Sequence, residues 1–341
     1  MEMMNKNLTN RIPWIDTAKG LGLLCVILGH LNVPYLSTWI YTFHMPLFFF
    51  LSGVVFSGGK YRFKEYLIRK LKTLVLPYFT LGGGIFLFFC IVYVIQGQHI
   101  SAYWEMVKEF LVQEHYWTVW FLACLFMVEI LYYGVHILCG KNLVWSTALS
   151  LVLCTFGLLR YRLGWGSLPW NLDVALVAQF FFHGGYLLKG QIQKLDGIRT
   201  MGVLKKTVIA LGLFLLNAIP GFLCIRVSGA SLDMSIGMYG SEILTAISAF
   251  AGISLIVLLC NILHSKALTW LGQNTMVIFA WHSRIVIVLC NYIYEYFGIF
   301  QDDGLVSKLL YAIATTILIF LLLIPATQWI KKSKIHHLFG L

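Results

Sequence analysis

Residues 73–95 read TLVLPYFTLGGGIFLFFCIVYVI, twenty-three consecutive positions without a charged side chain. Wound as an α-helix at 1.5 Å per residue the stretch is about 34 Å long, slightly more than the roughly 30 Å hydrocarbon layer of a bilayer. It is too long for a strand and lacks the alternation of a membrane barrel. In lipid a helix satisfies its own backbone without outside partners. Further apolar runs, separated by charged or turn-forming segments, fall at 14–33, 40–57, 117–138, 143–159, 172–188, 205–224, 240–262, 273–293 and 306–330. Together they predict an all-α, polytopic membrane helix bundle of about ten transmembrane helices.

The composition points the same way. Of 341 residues, 59% are hydrophobic and 11% charged, whereas about a quarter are charged in ordinary soluble domains. Lys and Arg outnumber Asp and Glu by 25 to 14. In so apolar a chain this excess marks cytoplasmic loops, and no nucleic-acid partner is expected. With the N-terminus inside, eighteen basic residues fall in inner segments, among them Lys6, Arg11, the cluster from Lys60 to Lys72, Lys194 and Arg199. Only Lys108, Arg160, Arg162, Arg226 and Lys308 fall outside, so both termini are expected in the cytoplasm.

The first span has the basic approach of a signal peptide but no clear small-x-small cleavage site, and is expected to be retained. No loop is long enough for an appended soluble domain, so residues 1–341 read as one integral membrane domain. The eight cysteines include no CxxC pair and read as small buried hydrophobes. No compact His and carboxylate spacing typical of zinc appears, so no metal is expected. Oligomeric state is left open.

Ionisable residues at membrane depth are costly and concentrate where function lies. The first span carries Asp16, Lys19 and His30. The eleven residues from Lys19 to His30 turn by a net of about 20° and rise about 16 Å, so the two share a face, with Asp16 within about 60° of it. One reading is a long ligand with its anionic end at Lys19 and its reactive end at His30. The other has Lys19 snorkelling, Asp16 paired with it, and His30 bonded to a neighbouring helix. His44 sits near the outer end of the second span, at a depth similar to that of His30, where it either lines the same site or meets a headgroup.

The string from Arg11 to Gly20 (RIPWIDTAKG), then Gly29-His30, then Phe43 to Gly53 (FHMPLFFFLSG) closely resembles the acyltransferase family 3 of multispanning membrane proteins. The wording is most similar to the fucose 4-O-acetylase-like and exopolysaccharide O-acetyltransferase branch. Further matches are Tyr66 to Lys72 running into Pro77-Tyr78, Val119-Trp120-Phe121-Leu122-Ala123-Cys124-Leu125-Phe126, and Leu271-Gly272-Gln273-Asn274-Thr275 leading to His282. The resemblance implies about ten helices, an acyl-CoA donor, usually acetyl-CoA, from the cytoplasm, and transfer to a sugar hydroxyl at or across the membrane. The acceptor is expected to be a cell-surface sugar or polysaccharide, or its lipid-linked precursor. The family's first helix has a basic residue, often Arg, ten intervening residues and a His, matched here by Lys19 and His30. Lys keeps the charge but not the bidentate fork of Arg.

These residues suit acetyl transfer with His30 as general base toward the acceptor hydroxyl and His44 as a second imidazole at the site. Asp16 is about 21 Å of helical rise from His30, too far to orient it. The phosphates of coenzyme A are expected at Lys19, Arg69 and Lys72. Trp120, Glu129, His282 and Arg284 are candidate supporting residues. Glu129 and Arg284 are read as a possible interhelical ion pair. His282 and Arg284 lie about 200° apart on an ideal helix, so one is expected to enter the cavity while the other braces a neighbour. Glu242 and Asp173 lie where an acceptor would approach, and His136 and His183 read as bundle histidines. A proton-coupled transporter is the rival reading, although Gly82-Gly83-Gly84 finds no matching interruption in the second half.

Overall fold

A computed structural model describes residues 12–113, 118–191, 198, 200–229, 232–263 and 265–341. The expected inner charges Lys6, Arg11, Lys194 and Arg199, and Trp117 at the start of one expected span, lie outside the described residues.

The chain runs through α1 (Pro13–Gly29), α2 (Leu36–Tyr41), α3 (His44–Val54), α4 (Phe63–Lys70), α5 (Leu76–Ile95), α6 (Ile100–Val112), α7 (Trp120–Cys139) and α8 (Leu143–Arg162). It continues through α9 (Leu172–Leu188), α10 (Val203–Ser228), α11 (Glu242–Ile262), α12 (Lys266–Gln273), α13 (Thr275–Trp281), α14 (Val288–Phe297) and α15 (Leu305–Lys332). Short π-helical stretches, Leu71–Val75 and His282–Ile287, join α4 to α5 and α13 to α14. Among the described residues, eight helical segments are long and apolar enough to cross a membrane: Leu36–Lys60, Phe63–Ile95, α7, α8, α10, α11, Thr275–Phe297 and α15.

The remaining two expected spans are α1 and α9, each 17 residues and mostly buried within the bundle. The 40–57 run is broken between α2 and α3, and α6 is a helix that hydropathy alone does not announce. Around this centre stand helices with outward-facing apolar residues such as Leu87, Val94, Val144 and Leu321, a surface suited to lipid.

Two crossings depend on glycine. A Cβ on Gly20 would lie 2.0 Å from the Leu268 carbonyl oxygen, and one on Gly272 would lie 1.7 Å from that of Asp16, so α1 and α12 touch backbone to backbone. Gly53 and Gly185 do the same for α3 and α9, at 1.8 Å from Phe182 O and 1.9 Å from Phe50 O. Lipid tails are as apolar as the helices, so close packing and buried hydrogen bonds must hold such a bundle together. Asn217 supplies the latter: its side-chain amide donates to Thr42 Oγ1 (2.9 Å) and Ser248 O (2.7 Å) and accepts from Trp39 Nε1 (2.5 Å), tying α10 to α2, α11 and the α2–α3 break.

Candidate active site

The break between α2 and α3 and the end of α1 face one another across a cavity of about 270 Å³. His30, His44, Trp120 and Arg284 line it, together with Tyr41, Thr118, Asp233, Ser235 and Ser283. Four candidates from well-separated parts of the sequence thus meet at one end of the bundle. His282 stands behind the wall, wholly buried, with its ring edge-on to that of His30 at 5.0 Å between centroids.

The tautomer of each neutral imidazole follows from its anchor. His30 Nδ1 lies 2.8 Å from Val26 O, His44 Nδ1 3.0 Å from Ile40 O, and His282 Nδ1 2.8 Å from Phe279 O and 3.1 Å from Ile278 O. A carbonyl oxygen can only accept, so each Nδ1 carries the hydrogen and each neutral ring keeps its lone pair on Nε2. The bare Nε2 of His282 then faces Nδ1 of His30 at 3.4 Å and accepts a share of its N–H. This leaves His30 Nε2 as the ring's basic atom.

Other cavity groups set its electrostatics. Asp233 and Arg284 bring side chains of opposite charge to the cavity wall. Asp233 sits in the turn between α10 and α11, its Oδ1 accepting from Ser235 N (2.8 Å) and Ser235 Oγ (2.6 Å). Thr118 Oγ1 is buried without a hydrogen-bond partner among the described residues, so it is a donor for a bound oxygen. The His282–Ile287 stretch departs from ideal α-geometry, and Arg284 reaches the cavity while His282 reaches His30. π-helical insertions of this kind frequently mark functional sites.

The remaining candidates lie elsewhere. Lys19, Arg69 and Lys72 do not line this cavity. Lys19 is half-buried on α1, Arg69 is exposed with its guanidinium 4.4 Å from the Tyr61 ring centroid, and Lys72 is exposed. Asp16 accepts from Gln273 Nε2 at 3.0 Å, and Asn274 accepts from Lys331 Nζ at 3.0 Å. The Leu271 to Thr275 motif therefore fastens α12 to α1 and α15. The expected pairing of Glu129 with Arg284 is corrected: buried Glu129 binds Lys70 Nζ at 2.5 Å and accepts from Tyr66 Oη, while Arg284 lines the His30 cavity. Glu242 is engaged by Arg162 through two 2.5 Å bonds, and Asp173 accepts from Leu168 N at 3.4 Å. His183 bridges Tyr132 Oη and Thr147 Oγ1, both at 2.8 Å.

Sequence reasoning passed over Tyr41, Thr118, Asp233, Ser235 and Ser283. Tyr41 stands three residues before His44 at the start of the 40–57 run, a detectable signal. Asp233 and Ser235 lie in a short turn with an Asp-x-Ser pattern that marks turns generally and carries no functional meaning alone.

A polytopic helical bundle with a histidine-lined polar cavity at one end defines a membrane-embedded protein with group-transfer chemistry within its reach. Residues 12–327, nearly the whole chain, match the family described as acyltransferase domain, and the protein belongs to that acyltransferase 3 family. Comparison with curated proteins and with solved structures gave no match. Family membership implies an acyltransferase with an acyl donor and an acceptor, embedded in a membrane by several helices.

Proposed function

We propose that this protein is an O-acetyltransferase that moves acetyl from cytoplasmic acetyl-CoA to a hydroxyl of a cell-surface or exopolysaccharide sugar, or of its lipid-linked precursor. The observation that carries the reading is the cavity in which His30 presents a bare Nε2 beside His44, Arg284 and Thr118. In this reading the His30 end faces outward, both termini lie inside, and α1 and α9 complete ten spans.

His30 Nε2 accepts the acceptor's hydroxyl proton as that oxygen attacks the thioester carbonyl carbon. The carbonyl electrons move to its oxygen, where the Thr118 hydroxyl and the Arg284 guanidinium supply donors for the developing charge. Collapse breaks the carbon–sulfur bond, and the proton on His30 passes to the departing thiolate. His44 Nε2 lies on the same wall and orients the acceptor. The coenzyme A phosphates bind toward Lys19, Arg69 and Lys72, and the extended pantetheine arm covers the roughly 16 Å of helix between Lys19 and His30.

The test supplies purified protein with acetyl-labelled acetyl-CoA and a panel of sugars and glycolipids. Transfer by wild type and its loss in His30→Ala is the expected outcome. Binding of acetyl-CoA with undiminished transfer in the variant removes His30 as base, and failure of wild type to bind acetyl-CoA removes the donor assignment.

A further inference from the structure

A second cavity, of about 430 Å³, lies against the first. The two share Tyr41 as a wall, and the turn between α10 and α11 divides them: Asp233 and Ser235 face the His30 cavity, while Leu232 and Met234 face the second. The second is much more apolar than the first. Apart from Glu242, already held by Arg162, its walls carry no charged side chain: they are aliphatic, aromatic, sulfur- or hydroxyl-bearing residues of α8, α9 and α11, of the α2–α3 break and of the turn itself. Among these Leu151, Thr155, Ile243 and Ile247 are exposed, so the cavity opens sideways between α8 and α11 toward the surface that meets lipid.

We infer that this cleft is a binding site for a hydrocarbon chain borne by the molecule whose polar head reacts in the His30 cavity. The inference rests on the proposed reaction at His30 and extends it to the substrate's class. A polar chamber and an apolar one separated by a single turn match a molecule with a polar head and an apolar tail. The lateral opening lets such a tail enter from the bilayer without crossing water, and each buried methylene then strengthens binding roughly three- to fourfold. Acetyl carries no tail, so the chain is the lipid anchor of a glycosylated acceptor; the acyl chain of a long-chain donor is the competing source that the test must exclude.

Photolabelling separates them without requiring turnover. Full-length protein in phosphatidylcholine nanodiscs is irradiated with one of three probes, each carrying a diazirine at the chain end: a dodecyl glucoside, a dodecanoyl-CoA or dodecanol. Saturable labelling of the 151–158 and 243–247 segments by the glucoside, competed by plain dodecyl glucoside, assigns the chain to the acceptor. The same result with the CoA probe and not with the glucoside puts the chain on the donor and overturns the assignment to the acceptor. Thr155→Trp, at an exposed position on the cleft wall, and Ala246→Trp, on the facing helix, each lower the label about tenfold. Labelling by dodecanol as strong as by either headed probe and without saturation means bulk lipid alone fills the cleft, and overturns the inference. So does the absence of label there. A protein that labels as expected but transfers no acetyl keeps the chain site and loses the proposed reaction instead.

Discussion

His282 Nε2 lies 3.4 Å from His30 Nδ1, joining the end of α1 to the π-helical start of the segment that follows α13. Because His282 Nδ1 is committed to the carbonyls of Ile278 and Phe279, His282 can offer His30 only an acceptor. It therefore holds the ring in the tautomer whose basic nitrogen is Nε2, and acts as a positioning residue.

That relationship predicts a split between two variants of His282. Glutamine can place an oxygen near the position of Nε2 and keep the acceptor, whereas leucine of similar bulk cannot. His282→Leu should lower kcat about 10- to 100-fold with little change in the KM for acetyl-CoA, and His282→Gln should recover most of the loss. Steady-state kinetics on detergent-solubilised protein checks this. Equal losses in both variants would assign His282 to packing alone.

The Lys70–Glu129–Tyr66 cluster predicts a stability effect separable from chemistry. Glu129 is 4% exposed, and Glu129→Ala leaves Lys70 Nζ and Tyr66 Oη without their shared acceptor. Lys70 keeps 22% of its side-chain exposure and can recover some hydration. The cost should therefore sit at or below about 3 kcal/mol, the low end for breaking a buried pair. Thermal unfolding should shift down, while activity per folded molecule at low temperature stays near wild type. Selective loss of kcat at unchanged stability would return Glu129 to the reacting site.

The α1–α12 crossing predicts a steric contrast among glycines. Gly272→Ala must push against the Asp16 carbonyl, and overpacking of this kind costs about 1–3 kcal/mol or more. Gly134, in α7, has open space where a Cβ would go. Gly134→Ala should be neutral or stabilising by about 0.5–1 kcal/mol, because alanine is the better helix former. Melting curves of the two variants side by side check the contrast. Equal behaviour would mean the crossing is looser than described.

Much of this architecture is legible from hydropathy because a helix in lipid needs an uninterrupted apolar run and shows it directly. The runs at 73–95 and 306–330 became α5 and α15 within larger helices. What hydropathy misses is local backbone irregularity. The break at Thr42-Phe43, which anchors His44 to Ile40, and the π-helical His282–Ile287 stretch both lie inside apolar runs. Partnerships between helices were also hidden. Glu129 and Arg284, opposite charges in two apolar spans, read as an ion pair, but which helices are neighbours depends on packing, and the glycine contacts that fix it leave only weak traces in one sequence. Asp233 was missed for the reverse reason, since an acid in a connecting turn has no desolvation cost to call attention to it.

The proposed donor path predicts a change in KM rather than kcat at the opposite end of the bundle. Arg69→Ala with Lys72→Ala should raise the KM for acetyl-CoA about tenfold or less, since both side chains are exposed and screened. The effect should shrink as salt rises. An unchanged KM at low ionic strength would remove both residues from coenzyme A binding.

The claim that His30 Nε2 takes the acceptor proton is tested most directly by chemical rescue. Acetyl transfer is measured for His30→Ala with and without added imidazole, alongside wild type. The account predicts a fall in kcat of about 10²–10⁴, partly restored by imidazole entering the vacated cavity, with restoration rising with pH as the added base becomes neutral. A variant that transfers acetyl at the wild-type rate without imidazole would contradict it.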